Sequence, residues 1–328
     1  MIISKCPLRI SLVGGGTDHP KYLEKYGSGS VISFPCNLNV YATVNRDVDG
    51  LNHKGKYVIN YTRREEVDSI HQIENQLVRE CLLDSGDSPL YVALTSDIAS
   101  HGSGLASSSA YIMALVAATS PADRNPHAIA FLSCYIERKF NPEVGLQDFY
   151  GSCYGGIKRI DFSPQRAVAS TYFPSTTCFS KLSMFLIPTG ICRNSTDILK
   201  TVDVDKCHIY HMNDVSDMEI ALIQNNTDDL LQVIKNGWRH KKSTSPLILG
   251  NPDLIELDKQ LEQNKLVLAH KLCGAGNGGY FLVFTAHGTN PFPEKYNAIP
   301  ISIAEEGLTT ARMKIYKPKD DSPHDPIF

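Results

Sequence analysis

The chain has 328 residues, of which 42% are apolar, so it can bury the core of one large domain or of two domains. Its net charge is −3 at pH 7 and no long basic run is present, which argues against nucleic acid and anionic membranes as partners. No stretch reaches the roughly 18 uninterrupted apolar residues of a membrane span. Nine cysteines, an odd number without close pairs, and an amino terminus unlike a signal peptide lead us to expect a cytoplasmic protein with reduced thiols.

The amino-terminal segment predicts a strand that ends in a glycine turn. The strand, over 2–13, runs into the sequence GGGTD at 14–18, where the backbone can approach a ligand and short polar side chains can reach it. Arg9 lies inside this strand, which is an unfavourable place for a charge unless a partner neutralises it. The alternative is a plain glycine turn without a ligand.

Further strands and one helical segment are predicted before residue 97. One or two strands are expected over 31–44 and single strands over 56–61 and 89–95, and apolar residues recur at helical spacing within 65–84. The strand at 89–95 delivers the chain to the segment 97–116.

That segment combines a loop of very small residues with an apolar helix. The loop reads GSGLA at 102–106, and Ile112, Leu115 and Val116 then recur at helical spacing. Three hydroxyls, SSS at 107–109, fall in the first helical turn. A helix start presents unpaired N–H groups and the positive end of its dipole, so a polyphosphate could bind here, with a hydroxyl close enough to ligate Mg²⁺. A small-residue turn before a core helix is the alternative, because the loop is neither a Walker motif nor a dinucleotide fingerprint.

Two acidic residues follow within the next fifty positions. Asn125 and a proline at 126 predict a helix start, and the apolar stripe of that helix places Glu137 at its edge. Asp148 follows in the sequence VGLQDFYGSCYGG, which predicts a glycine-rich loop. Taken singly, such a glutamate is a solvated side chain and such an aspartate a turn former.

The second part of the chain predicts a separate domain. A shift to proline, serine and threonine over 163–180 suggests domains at 1–176 and 177–316, with a flexible tail at 317–328. A strand is expected over 182–188, helices over 228–242 and 253–263, and a glycine turn, GAGNGG, before an apolar strand within 270–284.

Two smaller features belong to the same region. Ser216 and Glu219 have capping-box spacing and predict a helix start. His208 and His211 lie three positions apart without an acidic or cysteine partner at zinc spacing, so we interpret them as ordinary polar residues rather than metal ligands.

Three segments, PLRISLVGGGTD, GSGLASSSA and KLCGAGNGGY, resemble the three motifs of the GHMP kinases and occur in the same order. Within that superfamily the similarity is closest to the D-glycero-D-manno-heptose 7-phosphate kinases, through PLRISLVGGGTDHPKYLEKYG, VGLQDFYGSCYGGI, IPTGICRNSTDIL and GWRHKK. The resemblance implies an α+β fold of two domains. The first would be like ribosomal protein S5 domain 2, the second ferredoxin-like, and the active site would lie between them.

The resemblance also implies roles for individual residues. Asp148 would face the sugar hydroxyl as base or electrostatic partner, with Arg9 beside it, and Ser108 and Glu137 would coordinate Mg²⁺. The ATP phosphates would bind the loop and helix start at Gly102, Ser103, Gly104, Leu105, Ala106, Ser107, Ser108 and Ser109. The substrate side would be lined by Gly15, Gly16, Thr17, Asp18, Gly274, Ala275 and Gly276. For an acceptor that already carries a phosphate, Arg193 is the first candidate to bind it, followed by Lys271 and Lys241, since a guanidinium suits that geometry.

The loop departs from the family pattern at Ala106, which stands where the sequence GLGSS has its second glycine, and the usual Pro-Pro-Gly is missing. An alanine tolerates most loop geometries but not a positive φ without cost. The implied function is an ATP- and Mg²⁺-dependent kinase of a sugar or sugar phosphate, and a homodimer is a further expectation. A kinase of a free sugar of the fucose or galactose type and a catalytically silent sugar or nucleotide sensor remain alternatives. ATP-dependent decarboxylation, as in the mevalonate branch, fits the first motif poorly.

Overall fold

The structure is a computed structural model. It describes residues 1–46, 53–86, 88–99, 102–121, 124–164, 166–174, 178–191, 198–292 and 296–313, with the backbone alone at 166–170.

Within these ranges the first sheet has eight strands, in the order β12-β1-β2-β5-β3-β4, with the hairpin β6-β7 attached to β2. The strands are β1 (Ile2–Val13), β2 (Gly29–Arg46), β3 (Tyr57–Asn60), β4 (Arg64–Val67), β5 (Leu90–Ser96), β6 (Ile157–Ser163), β7 (Arg166–Phe173) and β12 (Thr309–Arg312). The long strand β2 serves two partners, because residues 40–46 pair with β5 and residues 29–33 pair with β6. All these pairs are antiparallel except the parallel pair of β3 and β5.

The strand β1 contains an irregularity next to Arg9. The register of β1 against β2 shifts between Pro7 and Arg9. Bulges of this kind bend a strand and release a backbone group from the ladder. Here the released N–H of Arg9 donates to the carbonyl of Leu105, at 3.1 Å, and so ties the strand to the glycine loop.

Five helices accompany the first sheet among the described residues: α1 (Pro20–Tyr26), α2 (Gln76–Ser85), α3 (Ser107–Thr119), α4 (Pro126–Arg138) and α5 (Gln147–Cys153). The helix α3 is apolar around most of its circumference, and residues 112–118 are all buried. It packs against β1 and β2 on one side and against α2 and α4 on the other. A helix that is apolar all round belongs in the interior, so the position of α3 follows from its composition.

The second sheet is antiparallel, with the order β11-β8-β10-β9 in the described part of the chain. Its strands are β8 (Leu182–Pro188), β9 (Ala269–Leu272), β10 (Tyr280–Ala286) and β11 (Ile299–Ile301). Both faces of β10 are buried: Leu282 and Phe284 join the core of the first sheet, whereas Phe281 and Val283 join a second core with Trp238. The helices here are α6 (Val204–Lys206), a π-helical turn at Cys207–His211, α7 (Met212–Ile223), α8 (Thr227–Thr244) and α9 (Pro252–Gln263).

The carboxyl-terminal part of the chain returns to the first sheet. The strand β12 pairs with β1, from Ile2 opposite Arg312 to Lys5 opposite Thr309. The first sheet therefore draws an edge strand from beyond position 177. Residues 175–177 and the tail at 317–328 lie outside the described residues, so the domain limits and the tail stay predictions.

Most predicted elements agree with the structure, including the strand over 182–188, which is β8. Three expectations were wrong. The first half of 65–84 is the strand β4 and a 3₁₀ turn, and the helix α2 begins only at Gln76. Ser216 opens no helix: it lies inside α7 and its hydroxyl donates to the carbonyl of Met212, at 3.3 Å. The segment around Asp148 is not a loop but the short helix α5.

No helix among the described residues is long and apolar enough to cross a membrane. The eight cysteines of the described ranges are all free thiols and all buried. Burial raises the pKa of the Cys36 and Cys153 thiols to about 12.

Candidate active site

The glycine loop ends in an unusual helix start. Ala106 is the residue before α3, and its φ of 63° lies in the left-handed region that L residues other than glycine avoid. Its methyl side chain makes no capping hydrogen bond. The first N–H groups of α3 are therefore not capped by this residue, and they form a helix terminus of the kind that binds anions in other proteins.

The glycine loop at 102–106 makes close contacts with β1 and with the GAGNGG turn. The N–H of Leu105 donates to the hydroxyl of Ser103 at 3.2 Å, and the carbonyl of Leu105 accepts from Arg9. From the other side, the GAGNGG turn approaches so closely that a Cβ on Gly279 would lie 2.3 Å from the carbonyl oxygen of Ser103. A side chain at Gly279 would thus separate the two glycine-rich segments.

Glu137 lies beside the start of α3. The hydroxyl of Ser109 donates to its Oε2 at 2.7 Å, and Asn141 donates to its Oε1 at 3.3 Å. The side chain is buried, and burial raises its pKa to about 7, against the hydrogen bonds from Ser109, Asn141 and Ser108, which lower it. Ser108 is exposed on the same helical turn.

Arg9 and Asp148 form an ion pair between β1 and the second residue of α5. The Nε of Arg9 lies 3.0 Å from Oδ1 of Asp148, and Nη2 donates to the same oxygen. Both contacts use Oδ1, so Oδ2 keeps its capacity to accept a hydrogen bond. The Nη1 group of Arg9 is a buried donor without a hydrogen-bond partner among the described atoms.

Asp18 binds Gln147, the residue that precedes Asp148 in the chain. It accepts from the backbone N–H of Gln147 at 3.0 Å and from the side-chain Nε2 of Gln147 at 2.8 Å. Burial, and secondarily the nearby charge of Asp148, raise the pKa of Asp18 to about 6. The approach requires Gly145, because a Cβ there would lie 1.9 Å from Oδ2 of Asp18.

The carboxyl end of α5 rests on a buried lysine. Nζ of Lys158 donates to the carbonyls of Gly151, Tyr154 and Gly156, at 3.0, 2.6 and 3.3 Å. Burial lowers the pKa of Lys158 to about 7. Its three donors pair one carbonyl of the short helix that carries Asp148 and two carbonyls just after that helix.

These groups surround one cavity of about 1270 Å³. It extends from the helix start at Ser107 to Ser109, past Glu137 and Asp148, to the π-helical turn of the second domain. Two lysines of the second domain line it. Lys271 donates to the carbonyls of Ser11 and Leu12 at 2.8 and 2.6 Å, and Lys241 donates to those of Leu272 and Gly274 at 2.8 and 2.5 Å.

A family model for the GHMP kinases N terminal domain matches residues 70–156. The matched segment contains the glycine loop, Glu137 and Asp148, which are the groups that the structure gathers on one wall of the cavity. Residues 70–156 are therefore similar to the GHMP kinases N terminal domain.

The similarity extends beyond that segment. The D-glycero-alpha-D-manno-heptose 7-phosphate kinase of Campylobacter jejuni is 29% identical over 332 residues, which cover 93% of this chain and 94% of the relative. The crystal structure of a D-glycero-D-manno-heptose 1-phosphate kinase from Bacteroides thetaiotaomicron has a TM-score of 0.74 and 20% identity, covering 97% of this chain and 100% of the other. Lactococcus lactis galactokinase complexed with galactose has a TM-score of 0.70 and 14% identity, over 94% and 95% of the two chains. The two structures share the GHMP kinase fold with this chain.

Most residues that the GHMP kinase resemblance singled out line this cavity. They are Arg9, Gly15, Gly16, Asp18, Gly102, Ser103, Gly104, Ala106, Ser107, Ser108, Ser109, Glu137, Asp148, Gly274 and Ala275. Arg193 lies outside the described residues, so its role stays a prediction.

Three of the expected lining residues do not line the cavity. Thr17 is completely buried, and its hydroxyl donates to the carbonyls of Gly14 and Ser30 and accepts from the N–H of Ser30, so it holds the glycine turn at 14–18. Leu105 is equally buried, because its side chain belongs to the core. Gly276 packs against Ile248, where a Cβ would lie 2.9 Å from its Cα.

Sequence reasoning missed several groups that the structure brings to the site. The hydrogen bond from Ser109 to Glu137, at 2.7 Å, was not predicted, although Ser109 itself was expected in the site. Gln147, Gly145 and Lys158 position Asp148 and its helix, and only their proximity to Asp148 in the sequence could have indicated them. His211 was assigned no function, yet it lines the cavity.

Proposed function

We propose that the chain is an ATP-dependent kinase that transfers the γ-phosphoryl group to a hydroxyl of a sugar phosphate, D-glycero-D-manno-heptose 7-phosphate. One observation carries the proposal: an anion-binding helix terminus and a carboxylate–guanidinium pair line the same cavity. The Campylobacter jejuni relative, a D-glycero-alpha-D-manno-heptose 7-phosphate kinase, matches nearly the whole chain and supports the choice of acceptor.

On the nucleotide side, the start of α3 supplies the N–H groups for the phosphates. Phosphoryl transfer depends chiefly on in-line positioning and on neutralising the charge that develops. The helix terminus positions the phosphates and neutralises part of their developing charge. The Gly274–Ala275 part of the GAGNGG turn closes the cavity over this terminus. In this proposal Gly102 to Ser109 and Gly274 to Gly276 act through their backbone.

Ser108 and Glu137 would hold Mg²⁺. A carboxylate and a hydroxyl are the oxygen donors that Mg²⁺ prefers, and this ion usually keeps water and substrate phosphates as its other ligands. Glu137 also fits a cation for a second reason: it is a buried carboxylate with a raised pKa, and its described hydrogen-bond partners are neutral. When bound, the ion would supply positive charge to the phosphates.

Asp148 would orient the acceptor hydroxyl or accept its proton through Oδ2. Arg9 holds the carboxylate through Oδ1, and its buried Nη1 would donate to an oxygen of the bound substrates. Asp18, with the glycines at 15 and 16, would form the sugar side of the cavity. Arg193, Lys241 and Lys271 would supply positive charge for the phosphate that the acceptor already carries.

The finer assignments of fold and setting belong to the same proposal. The amino-terminal domain would be of the ribosomal protein S5 domain 2 type and the carboxyl-terminal domain ferredoxin-like, with limits at 1–176 and 177–316. The second sheet, which is antiparallel and four-stranded, and the helices beside it support the ferredoxin-like assignment of the carboxyl-terminal domain. We further propose a cytoplasmic enzyme that forms homodimers.

A coupled assay of ADP release with ATP and Mg²⁺ tests the function against a panel of acceptors. We expect turnover with D-glycero-D-manno-heptose 7-phosphate and little with free mannose, fucose or galactose. Turnover with a free sugar alone would identify a free-sugar kinase instead. Calorimetric binding of ATP and sugar without turnover would support the silent sensor and overturn the proposal.

A further inference from the structure

His211 is the last residue of the π-helical turn Cys207–His211 and contacts the glycine turn at 14–18. Its Nδ1 lies 2.7 Å from the carbonyl oxygen of Gly15, and the residue is only 5% exposed. Insertions of a π-helical turn are rare and frequently occur at functional sites. Here the turn carries a second-domain side chain to the wall of the cavity.

The contact with Gly15 determines which ring nitrogen carries the proton. A carbonyl oxygen only accepts, so Nδ1 must be the donor. Burial lowers the pKa of His211 to about 4, with the positive charges of Lys241 and Lys271 acting in the same direction. The ring is therefore neutral at pH 7, and its Nε2 is an unprotonated acceptor.

That acceptor has no partner among the described residues. Nε2 of His211 is buried and makes no hydrogen bond. A buried polar atom without a partner costs free energy and needs an explanation in a folded protein. The adjacent cavity provides one.

A second unpartnered acceptor lies close to the same glycine. Oε1 of Gln147 is also buried and unpartnered, and a Cβ on Gly15 would lie 3.9 Å from it. The amide is oriented by Nε2, which donates to Asp18. Both side chains with an unpartnered acceptor, His211 and Gln147, therefore approach Gly15 and line the cavity.

We propose that His211 is a specificity-determining residue whose Nε2 accepts a hydrogen bond from a hydroxyl group of the acceptor sugar. The inference rests on the proposed function and names a contact within its substrate site. A phosphate group of the substrate is not the ligand of this atom, because an ionised phosphate offers acceptors and Nε2 offers no proton. A polyol supplies the donors that His211 and Gln147 lack.

The variant His211→Asn separates this role from a structural one. The amide of asparagine retains a donor in the place of Nδ1 for the carbonyl of Gly15 but has no atom in the place of Nε2. We expect the KM for D-glycero-D-manno-heptose 7-phosphate to rise roughly 5- to 50-fold, the usual cost of leaving a hydroxyl unpaired. The KM for ATP should change less than twofold. His208→Asn, at an exposed position of the same turn, is the matched control and should leave both constants unchanged.

Monodeoxy analogues of the acceptor identify the contacted hydroxyl. For one analogue, His211→Asn should cause no further loss relative to the wild type, because the hydrogen bond is already missing. An unchanged sugar KM in His211→Asn, or an equal rise in the KM for ATP, would overturn the inference.

A measurement on the wild-type protein does not depend on folding of the variant. In protein labelled with ¹⁵N-histidine, the Nε2 resonance of His211 should shift on addition of the heptose phosphate and not on addition of ATP alone. A resonance that ignores the sugar would overturn the contact. If the wild type accepts only a free sugar, the same titration with that sugar still tests His211, while the choice of acceptor fails.

Discussion

The guanidinium of Arg9 and the carboxylate of Asp148 are paired across 139 positions of the chain, with Nε 3.0 Å from Oδ1. The arginine side chain is 5% exposed and the aspartate 24%. Removing either partner from such a pair leaves the other charge only partly compensated. The carboxylate is nonetheless accessible enough to meet a substrate hydroxyl.

Asp148→Asn tests whether the carboxylate takes part in the reaction. Asparagine keeps the shape and loses the charge, so kcat should fall by roughly 10²–10⁴, the usual contribution of general base catalysis. The KM values for ATP and sugar should stay within a few-fold. Steady-state kinetics and a melting curve on the same preparation check this, with Asp217→Asn at an exposed position of α7 as control. A near-normal kcat with a lowered Tm would make Asp148 a structural residue.

Ala106 should be replaceable by glycine but not by valine. At a φ of 63°, glycine adopts the required conformation without strain, so Ala106→Gly should leave the affinity for ATP unchanged or improve it. A β-branched side chain is more restricted there, and Ala106→Val should weaken binding by roughly 5- to 30-fold, the factor that 1–2 kcal/mol represents. Calorimetry measures this, and Ala286→Val, at the exposed end of β10, is the control. Equal affinity in Ala106→Val would refute the strain argument.

Glu137 and Ser108 should affect the use of Mg·ATP without unfolding the protein. Glu137→Gln removes the only charge of the proposed pair and Ser108→Ala one oxygen donor, so both should require more Mg²⁺ for half-maximal activity. The larger effect is expected for Glu137→Gln, because a cation prefers a charged ligand. Titration of Mg²⁺ at fixed ATP measures this. Wild-type Mg²⁺ dependence in either variant would remove that residue from the assignment.

The pKa of Glu137 also predicts a pH dependence of stability. Its value is about 7 in the folded protein and ordinarily 4.5, so between these pH values the folded state binds more protons than the unfolded state. This contribution to stability is complete below pH 4.5 and is lost as the pH rises through 7. Glu137→Gln lacks it, so the Tm of the variant relative to the wild type should be higher at pH 8 than at pH 5. The same Tm difference between Glu137→Gln and the wild type at pH 5 and at pH 8, measured without ligand, would contradict the assigned pKa.

Gly145→Ala should disturb Asp18 and, through it, Gln147. The added methyl would lie 1.9 Å from Oδ2 of Asp18, so the carboxylate must move, at a cost of about 1–3 kcal/mol. Thermal unfolding should show a lower Tm, and kcat should fall because the support of α5 shifts. Gly15→Ala, whose methyl would meet Ser11 at an ordinary 3.6 Å, provides the comparison for stability. An unchanged Tm in Gly145→Ala would show that the site adapts.

Arg193→Ala should raise the KM for a phosphorylated sugar by a factor on the order of 10 or more, since a hydrogen bond to a charged group contributes about 1.5–3 kcal/mol. The KM for ATP should barely change. Arg193→Lys keeps the charge and should lie between the two. The reverse pattern would place this arginine on the nucleotide side.

Local sequence patterns were sufficient for most of the secondary-structure elements. The strand over 182–188 and the apolar helix after GSGLASSS were predictable because their periodicity or composition is a property of neighbouring residues. The motifs likewise placed Arg9, Glu137 and Asp148 in one site. Where a propensity was weak, as at Ser216 or around Asp148, long-range packing decided the structure, and the capping-box and loop predictions were wrong.

The sequence by itself thus determined the GHMP kinase motifs, their order and the charged residues between the loops. Only the tertiary structure decided which groups share a contact, since Asp18 with Gln147, Lys158 with the end of α5, and His211 with Gly15 are separated by up to 196 positions. Periodicity carries no information about such pairs. The positive φ of Ala106 likewise depends on the tertiary structure, because contacts from β1 and from the GAGNGG turn hold the loop in that conformation.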